Sequence, residues 1–288
     1  MLMTVLTQIF SICIEIWPTE NSRSSMALTT QNSNPIIVPC AYKPVGPPHY
    51  AITFFDPETA AWDLLDPVPD YPDGLPLFCH LASCDGELVA LRGWDPATYE
   101  PVADVFTYNF AAQGGVAMPQ QASFFTVGTH DGRVYMARGH NEGKNALRLA
   151  WAYNMGRGEW AELPLMSHGR DKCEGVVVAE GRSFWVVSEY GTEDQGLFKG
   201  SAEVYDFGTG GMAASGEGVA AKVGLDPVVW AETCRVELGG GRTMVAGAEY
   251  EGGWQGFYMA EGQNKKLERI NVPDKFFEFA WTGCHVEI

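Results

Sequence analysis

Charge is scarce in this sequence, and basic charge is scarcest. Asp, Glu, Lys and Arg make up 19% of the 288 residues, with 36 acidic against 19 basic side chains and a formal net charge of −17. Soluble domains average about a quarter charged. Clustered lysine and arginine grip a nucleic-acid backbone or an anionic bilayer, so no nucleic acid and no membrane is expected as a partner. Paired cysteines are missing as well. The seven, Cys13, Cys40, Cys79, Cys84, Cys173, Cys234 and Cys284, form an odd set without a C-x-x-C spacing. A secreted disulfide framework is denser and even-numbered, so they read as buried thiols of a reducing compartment, cytoplasmic and/or nuclear. No comparable stretch carries a helical period.

Catalytic signatures are absent too. There is no P-loop, dinucleotide fingerprint or G-x-S-x-G elbow. The six histidines (His49, His80, His130, His140, His168, His285) lack metal-ligand spacing. In Cys79-His80 and Cys284-His285 the neighbours point to opposite faces of a strand and cannot chelate together. Glu249 and Glu251, in a glycine-rich stretch, read as solvated rather than as an acid/base couple. The expectation is no metal, no cofactor and no enzyme.

What is present is glycine, 33 of 288 residues, with nine tryptophans and a 46% hydrophobic fraction. That combination suits many short strands joined by tight turns. Met1 to Trp17 is an apolar run broken by Gln8, Ser11 and Glu15. It lacks the basic start and small-residue cleavage site of a signal peptide, and Glu15 is costly inside a spanning helix. A signal anchor is its alternative reading. A polar linker follows, so residues 1–34 receive no fold and residues 35–288 form one domain.

From Ile36 onward the chain repeats itself. A short apolar strand comes first: Leu77–Leu81, Ser123–Val127, Gly175–Val178. A tight turn follows, Cys84-Asp85-Gly86-Glu87, His130-Asp131-Gly132-Arg133 or Ala179-Glu180-Gly181-Arg182. Asp-Gly is a strong hairpin signal because primed two-residue turns need positive φ. A second strand ends in a small residue and an aromatic or histidine, as in Arg92-Gly93-Trp94, Arg138-Gly139-His140 and Ser188-Glu189-Tyr190. A third strand ends in an aromatic and a turn residue: Phe55-Asp56, Tyr108-Asn109, Tyr153-Asn154, Tyr205-Asp206. Tryptophan follows seven residues later in two copies, Phe55 to Trp62 and Tyr153 to Trp160. Four strands per repeat at a period near 50 residues is the pattern of a propeller blade.

These landmarks resemble kelch repeats. The segments Gly74–Cys79, Gly93-Trp94-Asp95-Pro96, Gly139–Arg148, Tyr190–Gly196 and the ending Thr282–Ile288 are similar to the plant F-box/kelch-repeat proteins, in the subgroup that includes the KISS ME DEADLY proteins. The resemblance runs from about Tyr50 to Ile288. It implies an all-β, kelch-type β-propeller of four-stranded blades, with six blades the first choice and five the second. Whole blades are expected near 75–121, 122–172, 173–229 and 230–275, with a composite blade built from Tyr50–Leu65 and strands from one or both termini. It also implies the substrate-recognition part of an SCF-type ubiquitin ligase subunit, whose family role is to target phenylalanine ammonia-lyase and cytokinin-response regulators for degradation. Two departures stand out. No segment of residues 1–49 reads as the helical F-box, which makes a Skp-type adaptor a doubtful partner and ligase recruitment unexpected. The paired glycines of the repeat are eroded to Arg92-Gly93, Arg138-Gly139 and Ser188-Glu189.

Loop lengths place the binding face. In a meander the first-to-second and third-to-fourth turns share one end of the blade. Here the first-to-second turns are short. The second-to-third loops, 94–102, 140–147 and 190–199, are long, and the connections 118–122 and 166–172 lie at their end. Recognition concentrates on long loops carried by a rigid scaffold. The candidate contacts with a target protein are therefore Trp94, Asp95, Tyr99, His140, Asn141, Glu142, Lys144, Asn145, Arg170, Asp171, Tyr190, Glu193, Gln195 and Phe198. The alternative for each is packing between blades or bonding to loop backbone. A stand-alone kelch scaffold without a ubiquitin link is the second functional reading. A propeller enzyme of the copper-oxidase kind is the third.

Overall fold

A computed structural model describes residues 36–42, 49–64, 71, 74–95, 97–98, 100–108, 113–115, 125–137, 139–141, 145–171, 173–178, 182–189, 192, 199–215, 234–239, 242–248, 255–261, 266–273 and 282–286. The regular structure among these residues is strand and turn. The strands are β1 (Ile36–Tyr42), β2 (His49–Asp56), β3 (Ala61–Leu64), β4 (His80–Cys84), β5 (Glu87–Trp94), β6 (Pro101–Tyr108), β7 (Gln113–Gly115), β8 (Thr126–His130), β9 (Arg133–Ala137) and β10 (Ala150–Asn154). The second half supplies β11 (Glu159–Glu162), β12 (Glu174–Val178), β13 (Ser183–Glu189), β14 (Lys199–Asp206), β15 (Gly211–Ser215), β16 (Cys234–Gly239), β17 (Arg242–Ala248), β18 (Gln255–Glu261), β19 (Lys266–Arg269) and β20 (Cys284–His285).

They form four-stranded antiparallel meanders, β4 to β7, β8 to β11, β12 to β15 and β16 to β19, plus a composite sheet ordered β20-β1-β2-β3. In the composite sheet Ile36 pairs with His285 and Ile37 with Cys284, so opposite ends of the chain share one blade. The innermost strands follow one another in space: β4 lies beside β8, β8 beside β12, β16 beside β20, and β20 beside β4. The chain between β15 and β16 is outside the described residues. The architecture is an all-β propeller. Six blades ranked ahead of five in the sequence; five four-stranded sheets are present among the described residues.

The hairpins form for the reason their sequence gives. Asp85-Gly86 and Asp131-Gly132 take φ of 52° and 76°, and of 49° and 66°, positive at both central positions. That backbone twist matches the right-handed twist of the flanking strands. The seven-residue aromatic spacing also has a geometric cause. Phe55 stands directly opposite Trp62, and Tyr153 opposite Trp160, across adjacent strands. Their ring centroids lie 4.7 and 4.9 Å apart. In the β12–β15 sheet Met212 takes the tryptophan's place opposite Tyr205.

The core lies between sheets. Ile52, Leu77, Leu81, Leu88 and Val286 join the composite sheet to β4–β7. Phe55, Val236, Met244 and Phe257 join it to β16–β19. Val89, Leu91, Val134 and Tyr153 join β4–β7 to β8–β11. Tyr135, Ala152, Phe184 and Val186 join that sheet to β12–β15. Cys79, Cys84, Cys173, Cys234 and Cys284 are free thiols, and Cys79, Cys84 and Cys234 are buried. Burial pushes the Cys79 thiol up to about 12. Cys84 rises to about 11 through burial, with the carboxylates of Asp85, Glu87 and Asp131 adding to it. No helix among the described residues is long and apolar enough to cross a membrane.

The first strands start later than the apolar runs suggest. The apolar run Leu77–Leu81 reads as a strand, but β4 begins at His80 and β8 at Thr126. Leu77 instead exchanges both backbone hydrogen bonds with Trp94, each 2.8 Å, and Phe78 turns the chain at φ 58°. A long-range backbone pair overrides the local pattern there.

Two predictions follow from these contacts. Gly93 has φ +132°, and a Cβ on it would stand 2.6 Å from Pro76 Cβ and 2.7 Å from the Leu77 carbonyl oxygen. Gly93→Ala should therefore cost about 3 kcal/mol in urea unfolding, from combined backbone strain and overpacking. Gly156→Ala, whose Cβ would meet only Asn154 Oδ1 at 3.7 Å, serves as the near-neutral control. The second prediction concerns His80, whose ring packs on Phe125 at 4.5 Å and whose Nε2 is buried. Burial lowers its pKa to about 4, so between pH 6.5 and 4 the unfolded chain binds the proton and the folded one does not. Stability should fall as the pH drops through that window, by as much as about 2 kcal/mol from pH 7 to pH 5. Melting curves of His80→Gln should lose that part of the pH dependence; an unchanged slope would rule the assignment out.

Candidate functional site

Connection lengths separate the two ends of the blades. At one end β4 to β5, β8 to β9, β2 to β3, β10 to β11 and β14 to β15 are joined by turns spanning 85–86, 131–132, 57–60, 155–158 and 207–210. At the other end the chain runs from Ala137 to Ala150, from Glu189 to Lys199, from Glu162 to Glu174 and from Leu64 to His80 between strands. The elaborated end is best described where the 139–149 loop meets the 163–171 connector that leads into β12.

That junction is cross-linked by backbone. Leu163 N–H donates to the Ala150 carbonyl at 3.0 Å, Met166 N–H to Arg148 at 2.9 Å, Arg170 N–H to Leu147 at 3.1 Å, and Leu147 N–H to Gly139 at 2.8 Å. The Arg148 Nε returns a bond to the Met166 carbonyl at 2.6 Å. Gly169 fits because a Cβ there would stand 2.6 Å from the Ala146 carbonyl oxygen. The neighbouring blade reaches over as well: Ala146 N–H donates to Thr192 Oγ1 at 2.9 Å.

Beneath the connector lies a buried polar cluster. Glu203, on β14, is 0% exposed and Arg170 1%. The Arg170 Nη2 reaches Glu203 Oε1 at 3.5 Å, while its Nη1 reaches the Ser201 carbonyl and Oγ at 3.4 Å. Glu203 Oε1 also accepts from the Ser167 backbone N–H at 3.0 Å and from the Ser167 hydroxyl. The exposed His168 ring approaches the same oxygen at 3.8 Å and Ser167 Oγ at 3.0 Å. At the rim His140 Nδ1 meets Asp171 Oδ2 at 3.0 Å, tying the loop to the connector a second time. Nearly every described polar side chain here is spent on holding the loops.

This changes the reading of several candidates. Arg170 and Asp171, candidate contacts whose alternative role is packing or bonding within the loops, are buried, at 1% and 5%, and brace the face from inside. His140 is largely covered and belongs to the same brace. Trp94 packs partly buried against the core between blades. Asp95 accepts from the Ala97 and Thr98 backbone N–H groups at 2.8 Å each. Those donors hold its carboxyl below the usual carboxylate range. Asn141 and Asn145 are exposed, with Asn145 N–H donating to Asn141 Oδ1 at 3.0 Å. Tyr99, Glu142, Lys144, Tyr190, Glu193, Gln195 and Phe198 lie outside the described residues.

Sequence reasoning missed Glu203, Ser167, Thr192 and Leu165. Glu203 carried a signal: strand alternation puts it on the same face as Tyr205, which packs into the core. Leu165 carried none, since its apolar neighbours Leu163 and Met166 are buried while it is 52% exposed. Among the described residues no group of three or more His, Cys, Asp or Glu side chains is placed to hold a metal ion.

Comparison with known proteins agrees with this architecture. The kelch motif matches residues 121–167, which hold the β8–β11 sheet and the start of the braced connector. The chain is 38% identical over 174 residues to the F-box/kelch-repeat protein SKIP20 of Arabidopsis thaliana, covering 56% of this chain and 40% of that protein. A second F-box/kelch-repeat protein of the same plant is 37% identical over 180 residues, 61% of this chain and 50% of the relative. Kelch-like protein 41a of Danio rerio is 28% identical over 159 residues, 54% of this chain and 25% of that protein. The chain thus spans at most about half the length of the curated relatives it matches. It carries a kelch motif seated on one observed meander, and across more than half its length it is similar to plant F-box/kelch-repeat proteins.

Proposed function

We propose that the chain is a protein-binding kelch module that acts as the target-recognition part of an SCF-type ubiquitin ligase subunit, with its target seated on the long-loop end of the blades. The observation that carries this reading is the asymmetry of the two ends. Among the described residues one end carries tight turns, and the other carries loops held by the buried side chains of Arg170 and Glu203. Loops that are both long and rigid cost little to order on binding, which favours a stable partner contact. Relatives with F-box/kelch-repeat names support the ubiquitin link, and the resemblance to the KISS ME DEADLY subgroup supports phenylalanine ammonia-lyase and cytokinin-response regulators as the targets.

The test is capture of purified phenylalanine ammonia-lyase by the immobilised full chain. Asn145→Trp on the long-loop end should weaken capture by about tenfold or more, and Arg157→Trp in the 155–158 turn should leave it within about twofold. Equal effects from both would remove the assigned face. Absence of capture would remove the enzyme as target. A Skp-type adaptor recovered with the chain would support the ligase role, and a target bound without any adaptor would favour a stand-alone scaffold.

A further inference from the structure

Leu165 and Leu64 are the large hydrophobic side chains that stand exposed among the described residues, at 52% and 49%. Leu165 is not on a loose tip. Leu163 on one side is buried at 8% and Met166 on the other at 0%. The backbone of both is fixed, to Ala150 and to Arg148, and the connector is anchored below by Ser167 and Arg170 on Glu203. The side chain is therefore held into solvent by its own framework, and it contributes nothing to the core that would explain it. The exposed Arg148 has its Nε fixed at 2.6 Å on the carbonyl of Met166, the residue after the leucine, which holds the guanidinium on the same connector instead of leaving it to sweep freely. Arginine is enriched among the residues that anchor interfaces, and an apolar side chain and an arginine that are both pre-positioned lose little freedom on binding.

We infer that Leu165 and Arg148 form the anchor of the target site, and that they take a peptide segment in which an apolar side chain lies next to a carboxylate. This rests on the reading of the long-loop end as the binding face and gives that face its chemistry. The apolar side chain of the partner covers Leu165. Its carboxylate meets the guanidinium of Arg148, a planar fork suited to bidentate pairing. Charge selects this partner over a basic one at the anchor itself, although the chain as a whole carries a net −17. The Arg170–Glu203 pair enters as a positioning element: it touches no partner and keeps the connector in the shape that presents Leu165.

The experiment is selection of short random linear peptides displayed on phage against the immobilised full chain, followed by binding of the enriched peptides to variants. Enrichment of sequences with Leu, Ile, Met or Phe beside Asp or Glu is expected. Their affinity should fall by about tenfold with Leu165→Ala and with Arg148→Gln, recover in part with Arg148→Lys, and stay unchanged with Leu64→Ala. Leu165 is a surface residue, so its truncation leaves folding intact, and a melting curve checks this. Enrichment of basic or featureless peptides overturns the inference, as does failure to enrich any. An acidic–apolar consensus indifferent to both substitutions overturns it equally. Phenylalanine ammonia-lyase in a parallel arm separates the two claims. Capture that ignores Leu165→Ala and Arg148→Gln defeats this anchor and leaves the target reading standing. Selected peptides that obey both substitutions while the enzyme is not captured do the reverse.

Discussion

The two-residue pairing of Ile36 and Ile37 with His285 and Cys284 is the contact on which the rest of this fold depends. Each blade of a propeller buries its faces only against its neighbours, so an open ring leaves two faces wet and two sheet edges unpaired. The composite sheet closes both sides at once. Ile52 belongs to the core shared with β4–β7, while Phe55 belongs to the core shared with β16–β19. The segment that delivers β20 is tied down on either side of the strand. Thr282 Oγ1 accepts from Leu81 N–H at 3.3 Å, joining residues 201 apart in sequence, and Val286 is fully buried. Loss of that short strand removes apolar packing on one flank and the inner partner of β1 on the other, which makes closure a cooperative event rather than a local one.

Against that apolar background the Arg170–Glu203 cluster is costly. Taking two charges out of water offsets much of their attraction, and a packed apolar pair in the same volume is often as stable. Its position explains its use better than its energy does. It sits where a connector whose backbone-to-backbone bonds, among the described residues, reach only the 139–150 segment must be held across the seam between two blades. A hydrophobic plug would fix the height of the connector but not its azimuth. Directional bonds from Ser167, Arg170 and Ser201 do both, and they set the outward residues Leu165 and His168 in register with Arg148 on the next loop.

What was legible in the sequence is what local geometry decides. Asp85-Gly86 and Asp131-Gly132 announce their turns because two consecutive positive φ values restrict residue choice at those positions. Phe55 to Trp62 and Tyr153 to Trp160 announce a hairpin because seven residues is the path from one strand position, round the turn, to the position opposite. The contrast of short and long connections, and so the choice of face, followed from these turns alone. What was not legible is what distant residues decide. Leu77 looks like strand until Trp94 claims its backbone, and Arg170 looks like a loop cation until Glu203, 33 residues later, buries it. A polar loop residue that serves as a brace and one that serves as a contact have the same signature in a sequence.

The eroded glycine pairs show where these two kinds of information meet. In β5–β6 the register shifts between Leu91 and Gly93, and in β13–β14 between Val187 and Glu189, so the pair coincides with a β-bulge in both blades. A bulge places an extra residue on one strand and bends it away from its partner; it asks for glycine only where φ is positive or backbone comes close. At Gly93 both conditions hold, since φ is +132° and Pro76 and Leu77 crowd the missing Cβ. In that blade Arg92 precedes Gly93, and it is Gly93 that the connector from the preceding blade presses. Glycine is therefore demanded at position 93 by the non-local segment that lies against it, whereas the corresponding bulge of β13–β14 is met by Glu189.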